Sequence, residues 1–337
     1  MVEQKDKSEP GRRALVIGAT GGVGGEVAKA LLAHGWRVRA LTRAPEVARK
    51  QASWIGAVEW VTGDAMNVAD VIGASEGASV IVHAANPPKY RDWRGLAIPM
   101  LANAVDAARK SGARLIFPGN VYNFGPDAWP LVREDSPQHP CSRKGAIRVE
   151  MEESLRAATD SGVRTLILRA GDFFGPHQQA SWFKDAMIAP GKPVTSVLYP
   201  GDRDASRSTG HAWAYLPDFA ETVARLADIE QGLPDFDVFH FGGYWVEPGV
   251  EMARAIGRAA GKPDVKIRAA PWLLFRLAAP FSPFMRELLE MRYLWSQPVR
   301  LDHSKLVALL GAEPHRPLDQ AVKETLTALG VFPEEVK

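Results

Sequence analysis

Cysteine is all but missing: Cys141 is the only one in 337 residues. A single thiol excludes an intramolecular disulfide and a cysteine-based zinc site, and it fits a reducing cytoplasm, the expected location. An excess of one charge is lacking too. Lys and Arg number 41 against 39 Asp and Glu, a formal charge of +2, which makes no electrostatic case for nucleic acid or an acidic membrane surface as partner. The eight histidines show neither H-x-x-x-H nor clustered acidic spacing, so no metal is expected. Uninterrupted apolar runs of spanning length are also absent. The most membrane-like stretch, 269–295, holds Trp272, Leu273, Leu274, Phe275 and Leu277 but is broken by Arg276, Pro280, Pro283, Arg286 and Glu287. It falls short of the roughly 20 apolar residues a spanning helix needs. Burial against a domain or partner surface is the expected fate of this stretch, and an interfacial membrane helix is the alternative. Residues 1–11 are polar and charged, unlike a signal peptide, and read as a disordered leader.

What is present is the composition of a soluble globular protein, 46% hydrophobic and 24% charged, long enough for one large α/β unit or two modest domains. Apolar runs at 14–17, 37–41, 58–61, 80–82, 115–117 and 165–168 predict strands. Between them, 23–34, 46–54, 93–110 and 146–161 predict helices. Strands rich in Val, Ile and Leu that alternate with helices imply a doubly wound parallel sheet covered on both faces, a Rossmann-type α/β fold. Gly35, Gly112 and Gly162 sit where C-terminal helix caps belong. This domain is expected over 12–170, with a return near 211–242 through a helix at 217–227 and a strand at 238–241. Residues 171–337 form a smaller, mostly helical substrate part, with helices at 248–260, 272–277, 283–293, 304–310 and 318–329.

The first strand runs into Gly18-Ala19-Thr20-Gly21-Gly22-Val23-Gly24 and then a helix. Gly18 permits a sharp turn, Gly21 lets the backbone approach a diphosphate, and Gly24 allows close helix–strand packing. The helix N-terminus offers unpaired amides and the positive end of its dipole to the anion. Thr20, Gly22 and Val23 belong to the same cofactor-binding turn. Specificity is expected at the end of the second strand, where an acid would bind a ribose 2′-hydroxyl. Here the strand ends in Thr42-Arg43. An arginine can grip a 2′-phosphate bidentately and Thr42 can donate to it, so NADP is favoured over NAD. The competing reading of Arg43 is a solvent-facing loop arginine.

At these residues the chain resembles the extended short-chain dehydrogenase/reductases, specifically the NAD-dependent epimerase/dehydratase family. The resemblance rests on Gly18-x-x-Gly21-x-x-Gly24, Gly63-Asp64, His83-Ala84-Ala85, Val121-Tyr122, Arg169 and Leu216-Pro217-Asp218-Phe219. The closing stretch from Leu301-Asp302-His303-Ser304-Lys305 to Leu309-Leu310-Gly311 also carries it. It implies that Asp64, with Ala65 beside it, contacts adenine, and that Ala84 and Ala85 line the cofactor. It also implies a substrate between the Rossmann domain and the C-terminal helices, and a homodimer formed through the long Rossmann helices. Two departures stand out. The family's Ser or Thr three residues before Val-Tyr is Pro118, and its Tyr-x-x-x-Lys window reads Lys144-Gly145-Ala146-Ile147-Arg148, with Glu152 retained four residues on.

Arg148 falls one helical turn from Lys144. A fixed cation there would disfavour protonated Lys144, making it a general acid or base tuned by Arg148. A lysine in this role is similar to the isoflavone reductase-like relatives. The pair could instead bind an anionic substrate or be surface cations. Asn120 and Tyr122 lie at the carboxyl edge of the sheet, where Asn120 could bind a substrate carbonyl and Tyr122 could supply a proton if Lys144 does not. Either could simply shape a tight loop. The segment 169–177 forms, as the resemblance implies, one wall of the substrate cleft; Asp172 or His177 could move protons there, and a capping Asp and an exposed loop His are the favoured readings. Cys141 reads as packing, and 200–210 as a solvated connection whose two arginines could instead close over an anionic substrate. The expected function is an NADP-dependent oxidoreductase acting on a small carbonyl, alcohol or activated alkene. A sugar-nucleotide epimerase or dehydratase and a non-catalytic dinucleotide sensor or scaffold are the alternatives.

Overall fold

A computed structural model describes residues 12–87, 92–179 and 181–332; the expected leader, 1–11, lies outside the described residues. Seven parallel strands form the central sheet: β1 (Arg13–Ile17), β2 (Arg37–Thr42), β3 (Glu59–Thr62), β4 (Val80–His83), β5 (Arg114–Asn120), β6 (Thr165–Ala170) and β7 (Phe236–His240). Their order is β7-β6-β5-β4-β1-β2-β3. The chain winds outward to β3, then returns to place β4 on the other side of β1. That reversal opens a crevice at the carboxyl ends of β1 and β4.

β1 shows why the sequence reads as a continuous apolar run. Ala14 and Val16 face one core and Leu15 and Ile17 the other, all at 1% exposure or less, because helices cover both faces. α1 (Gly22–Ala33) and, from later in the chain, α6 (Leu216–Asp228) cover the first. α3 (Val68–Ala74), α4 (Trp93–Ser111) and α5 (Arg143–Ala158) cover the second; α2 (Pro45–Gln51) leads toward β3. Gly112 and Gly162 end their helical stretches in the left-handed region, as C-terminal caps do.

Three helical stretches of this half depart most from the sequence reading. The predicted helix at 46–54 is α2 followed by a separate 3-10 turn, Ser53–Ile55. α5 starts at Arg143 because Ser142 caps it, its Oγ accepting from the Gly145 amide at 3.0 Å. α3 was not predicted; its seven residues are too few for a helical period, and Asn67 fixes its start by accepting from the Ala69 amide.

The second half is less purely helical than predicted. Besides α7 (Glu251–Ala259), α8 (Trp272–Ala278), α9 (Pro283–Glu290), α10 (Ser304–Leu310) and α11 (Leu318–Ala328), it holds short strands. Tyr244–Val246, His211–Tyr215 and Asp172–Phe174 form a three-stranded sheet over an aromatic core that includes Phe174, Phe183, Trp213 and Trp295. Ser196–Tyr199 pairs with Lys266–Ala269, and Leu131–Val132 with Arg300–Leu301. Of the stretch 269–295, Ala270, Met291, Leu294 and Trp295 are buried within the chain, whereas no domain surface covers α8, none of whose residues is buried. Among the described residues no helix is long and apolar enough to cross a membrane.

Candidate active site

The turn from β1 to α1 is shaped by two close approaches. Gly18 has φ +93°, and a Cβ there would lie 2.7 Å from the Ala84 carbonyl carbon. At Gly24 a Cβ would lie 2.3 Å from the Gly18 carbonyl oxygen, so only glycine lets α1 pack this tightly on the turn. Gly21 is the N-cap, and no side chain caps the helix. The first-turn amides therefore have no side-chain acceptor, which suits a diphosphate. Gln178 and Gln179 cross the turn: Gln179 Nε2 donates to the Thr20 carbonyl, and Gln178 Oε1 stands 2.2 Å from where a Gly22 Cβ would be.

The remaining cofactor candidates surround this turn. Arg43 is exposed at the end of β2, and the neighbouring Thr42 Oγ1 accepts from the Ala44 amide at 3.3 Å. Asp64 Oδ1 accepts from the Met66 amide at 3.0 Å, while Asp70, which the sequence reading passed over, takes the Asp64 amide at 2.8 Å. Ala65 holds Asn103 Nδ2 through its carbonyl at 2.8 Å. The Ala84 amide donates to the Ile17 carbonyl, and Ala84 and Ala85 face the adjoining cleft along with Val23.

That cleft lies at the carboxyl ends of β4, β5 and β6 and opens to solvent. His83, the last residue of β4, is 1% exposed in its wall, and neither ring nitrogen has a hydrogen-bond partner among the described residues. Burial, reinforced by the nearby Arg148 charge, lowers its pKa to about 3, so the ring is neutral and offers one donor and one acceptor. In the sequence His83 stands out only as the first residue of the His83-Ala84-Ala85 motif. A bare helix N-terminus, a glycine turn and an orphaned imidazole together fit a dinucleotide whose nicotinamide end reaches this cleft.

Arg148 is 6% exposed and lines the cleft. Its guanidinium lies 5.0 Å from the Trp93 ring and 5.2 Å from the Phe117 ring, and Nη2 donates to Asn86 Oδ1 at 3.4 Å. Asn120 and Tyr122 line the cleft as well. Asn120 Oδ1 also accepts from the Tyr122 amide at 3.0 Å, so it shapes the loop that presents Tyr122. Gly145 lets α5 abut that loop, since a Cβ there would meet the Tyr122 carbonyl at 2.1 Å.

Lys144 is placed apart from Arg148, which the spacing pairs with it one helical turn away. It is 4% exposed and absent from the cleft wall. Nζ lies 2.5 Å from Glu287 Oε2 and donates to the Glu287 carbonyl at 3.2 Å; the Lys144 amide donates to Glu290 Oε1. α9 has claimed this end of α5. The two cations share a helix but not a site.

Asp172, for which the sequence leaves a cap and a proton-moving role open, faces the cleft. Its Oδ2 is 2.9 Å from His211 Nε2, while His211 Nδ1 is 3.0 Å from the Leu294 carbonyl and the ring stacks on Trp295 at 4.1 Å. The ring is thus held between the Asp172 carboxylate at the cleft wall and the Leu294 carbonyl behind it. No local sequence pattern could reveal a pair 39 residues apart. His177 stacks on Trp54 at 3.7 Å beside Glu26, outside the cleft lining. Cys141 is exposed rather than packed, and desolvation raises its thiol pKa, which disfavours a nucleophile. Glu152 is buried against Arg169, which also touches His240 Nε2 at 3.1 Å; the retained glutamate is thus an internal anchor. In the 200–210 loop, Arg207 pairs with Asp202 and Asp204 and Arg203 donates to the Ile267 carbonyl. Among the described residues no three His, Cys, Asp or Glu side chains gather as metal ligands would.

The family model for the NAD-dependent epimerase/dehydratase family matches residues 14–238. A ceramide reductase from Caulobacter vibrioides is 30% identical over 224 residues, 64% of this chain and 64% of that protein. A 3-diazoavenalumate denitrifying reductase from a Streptomyces species is 31% identical over 183 residues, 49% of this chain and 57% of that one. The chain thus spans less than two thirds of the length of these curated relatives. Among solved structures, the UDP-glucose 4-epimerase of Thermus thermophilus, in complex with NAD, matches with TM-score 0.70 and 20% identity, covering 94% of this chain and 98% of that one. The dTDP-glucose 4,6-dehydratase of Streptomyces venezuelae, with NAD bound, matches with TM-score 0.70 and 18% identity over 94% and 96%. Identities this low establish the shared fold.

Proposed function

Since the chain belongs to the NAD-dependent epimerase/dehydratase family, we propose that it is an NADP-dependent reductase or dehydrogenase interconverting a carbonyl and an alcohol with Arg148 in place of the family's usual tyrosine–lysine pair. The observation that carries this reading is the Arg148 guanidinium, buried in the cleft wall between Trp93 and Phe117 and facing neutral His83. Two curated relatives are reductases by name, which favours net reduction over the epimerase and dehydratase chemistry named for the structural neighbours. The placement of Lys144 weighs the same way, because the window that normally supplies a proton-abstracting tyrosine is tied to α9.

The glycine turn and the α1 amides hold the diphosphate, and Arg43, exposed where an acid would select NAD, grips the 2′-phosphate of NADP. The bound cofactor supplies or accepts the hydride. Arg148 polarises the substrate oxygen and stabilises alkoxide character, acting in a wall of low dielectric. Tyr122 hands the oxygen its proton, and Asp172, held in place by His211, faces the same cleft.

The test is NADPH consumption against a panel of aldehydes and ketones. Arg148→Met and Tyr122→Phe are each expected to lower kcat about 10²-fold or more with NADPH affinity retained. NADPH binding with no consumption by the unaltered protein across the panel would replace this reading with the non-catalytic sensor.

A further inference from the structure

α8 turns the wrong face outward for a helix of a closed globular surface. Leu273, Leu274 and Leu277 lie on one side of it, at 70%, 62% and 65% exposure, and Phe281 in the following turn is 90% exposed. The opposite side carries Trp272 and Phe275, which are half-buried, with Trp272 set 6.4 Å from Trp182. Trp182 lines the cleft, so this apolar ridge stands beside the cleft mouth. Adjacent large apolar side chains left in water mark a surface meant for something else.

The charges around the ridge indicate what that is. Residues 266–292 hold five cations, Lys266, Arg268, Arg276, Arg286 and Arg292, and two acids, Glu287 and Glu290. All five cations are exposed. Both acids are engaged inward with Arg143 and Lys144 and do not offset them. Arg286 donates to the Ala279 and Pro280 carbonyls at 3.2 and 3.3 Å, which holds its guanidinium at the tip near Phe281. Arg292 lies over the Trp272 ring at 5.3 Å. With the chain as a whole at +2, this is a concentrated basic rim around leucine and phenylalanine.

We propose that α8 and its turn into α9 dock the protein on an anionic lipid surface, with Leu273, Leu274, Leu277 and Phe281 entering the acyl boundary and the arginine rim meeting the headgroups. A lone apolar ridge would suit another protein as well. Within 266–292 no acid is exposed, Asp202 and Asp204 of the adjoining loop are paired with Arg207, and exposed Asp264 at the border is outnumbered; this excess of cations matches a uniformly negative plane. The arrangement brings the cleft mouth to the membrane surface without any spanning helix. The proposal stands apart from the catalytic reading, because it concerns where the molecule sits.

The experiment is flotation of the full chain with vesicles of phosphatidylcholine alone and of phosphatidylcholine containing phosphatidylglycerol. Binding to the anionic vesicles is expected, weakened by high salt. Leu277→Asp with Phe281→Ser should weaken it about tenfold or more. Arg276→Glu should weaken binding to anionic vesicles while leaving any residual binding to neutral ones unchanged. These side chains are exposed, so near-UV circular dichroism should match the unaltered protein. Absence of the unaltered protein from the floated anionic vesicles would overturn the proposal, as would undiminished binding of the double variant. A dimer in light scattering that Leu277→Asp splits, with no vesicle binding, would overturn it in favour of a second copy as occupant.

Discussion

Gly18 holds a backbone conformation that a side chain resists, and it does so against the Ala84 backbone. Gly18→Ala therefore meets two costs, left-handed strain of about 1–2 kcal/mol and displacement of the β4 exit. NADPH affinity is expected to fall about tenfold or more by fluorescence titration with the fold kept; undiminished affinity would remove the turn from cofactor binding. Arg43 answers to a different test. Its charge is exposed and is proposed to meet the 2′-phosphate alone, so Arg43→Glu should weaken NADPH by about tenfold and leave NADH nearly unchanged. Equal losses for both would show that the arginine does not read the 2′-phosphate.

At the scale of elements, α5 and α9 are joined where α5 was expected to face substrate. Lys144→Met strips a largely buried carboxylate of its partner and should cost about 1–3 kcal/mol of stability, read as a lower midpoint in urea, with little change in kcat. Arg148→Met should do the reverse. A Lys144→Met enzyme that is fully stable and catalytically dead would restore the lysine mechanism. The contrast also marks what could be read in advance. β1 and β4 are legible because both their faces are buried, and the glycine turn because its spacing is dictated by a sharp turn and a close approach. Arg148 and Tyr122 could be found at the cleft because helix period and sheet edge placed them. Lys144 could not be placed, since its partner Glu287 is 143 residues away. The same holds for the Asp172–His211 pair, and for strands of three to five residues built from aromatics, too short for a period to show.

For the whole molecule, the histidines set a pH optimum of stability. His83 and His240 are kept neutral in the fold, chiefly by burial and then by Arg148 and Arg169, each near a pKa of about 3. Unfolding lets them take up protons, so the stability they contribute is present above the unfolded value near 6.5 and is lost as pH falls below it, by up to about 1.4 kcal/mol per pH unit for each. His34 and His303 act oppositely. Their pKa values are raised by the carboxylates of Asp228 and Glu221 and of Glu313, respectively, although burial is the largest influence on His34 and lowers it. Their contribution is full below 6.5 and is lost as pH rises through the folded values. Urea midpoints at pH 5.5, 6.5 and 7.5 should therefore peak at the middle value, and His303→Asn should flatten the alkaline side. A midpoint rising steadily with pH would contradict this pairing of effects.

Calorimetric titration of the purified chain with NADPH and with NADH, in parallel, is the most direct probe of the site built at the β1–α1 turn. Saturable one-to-one binding is predicted, with NADPH about tenfold or more the tighter. No heat with either nucleotide, while the protein remains folded, would contradict the account at its root.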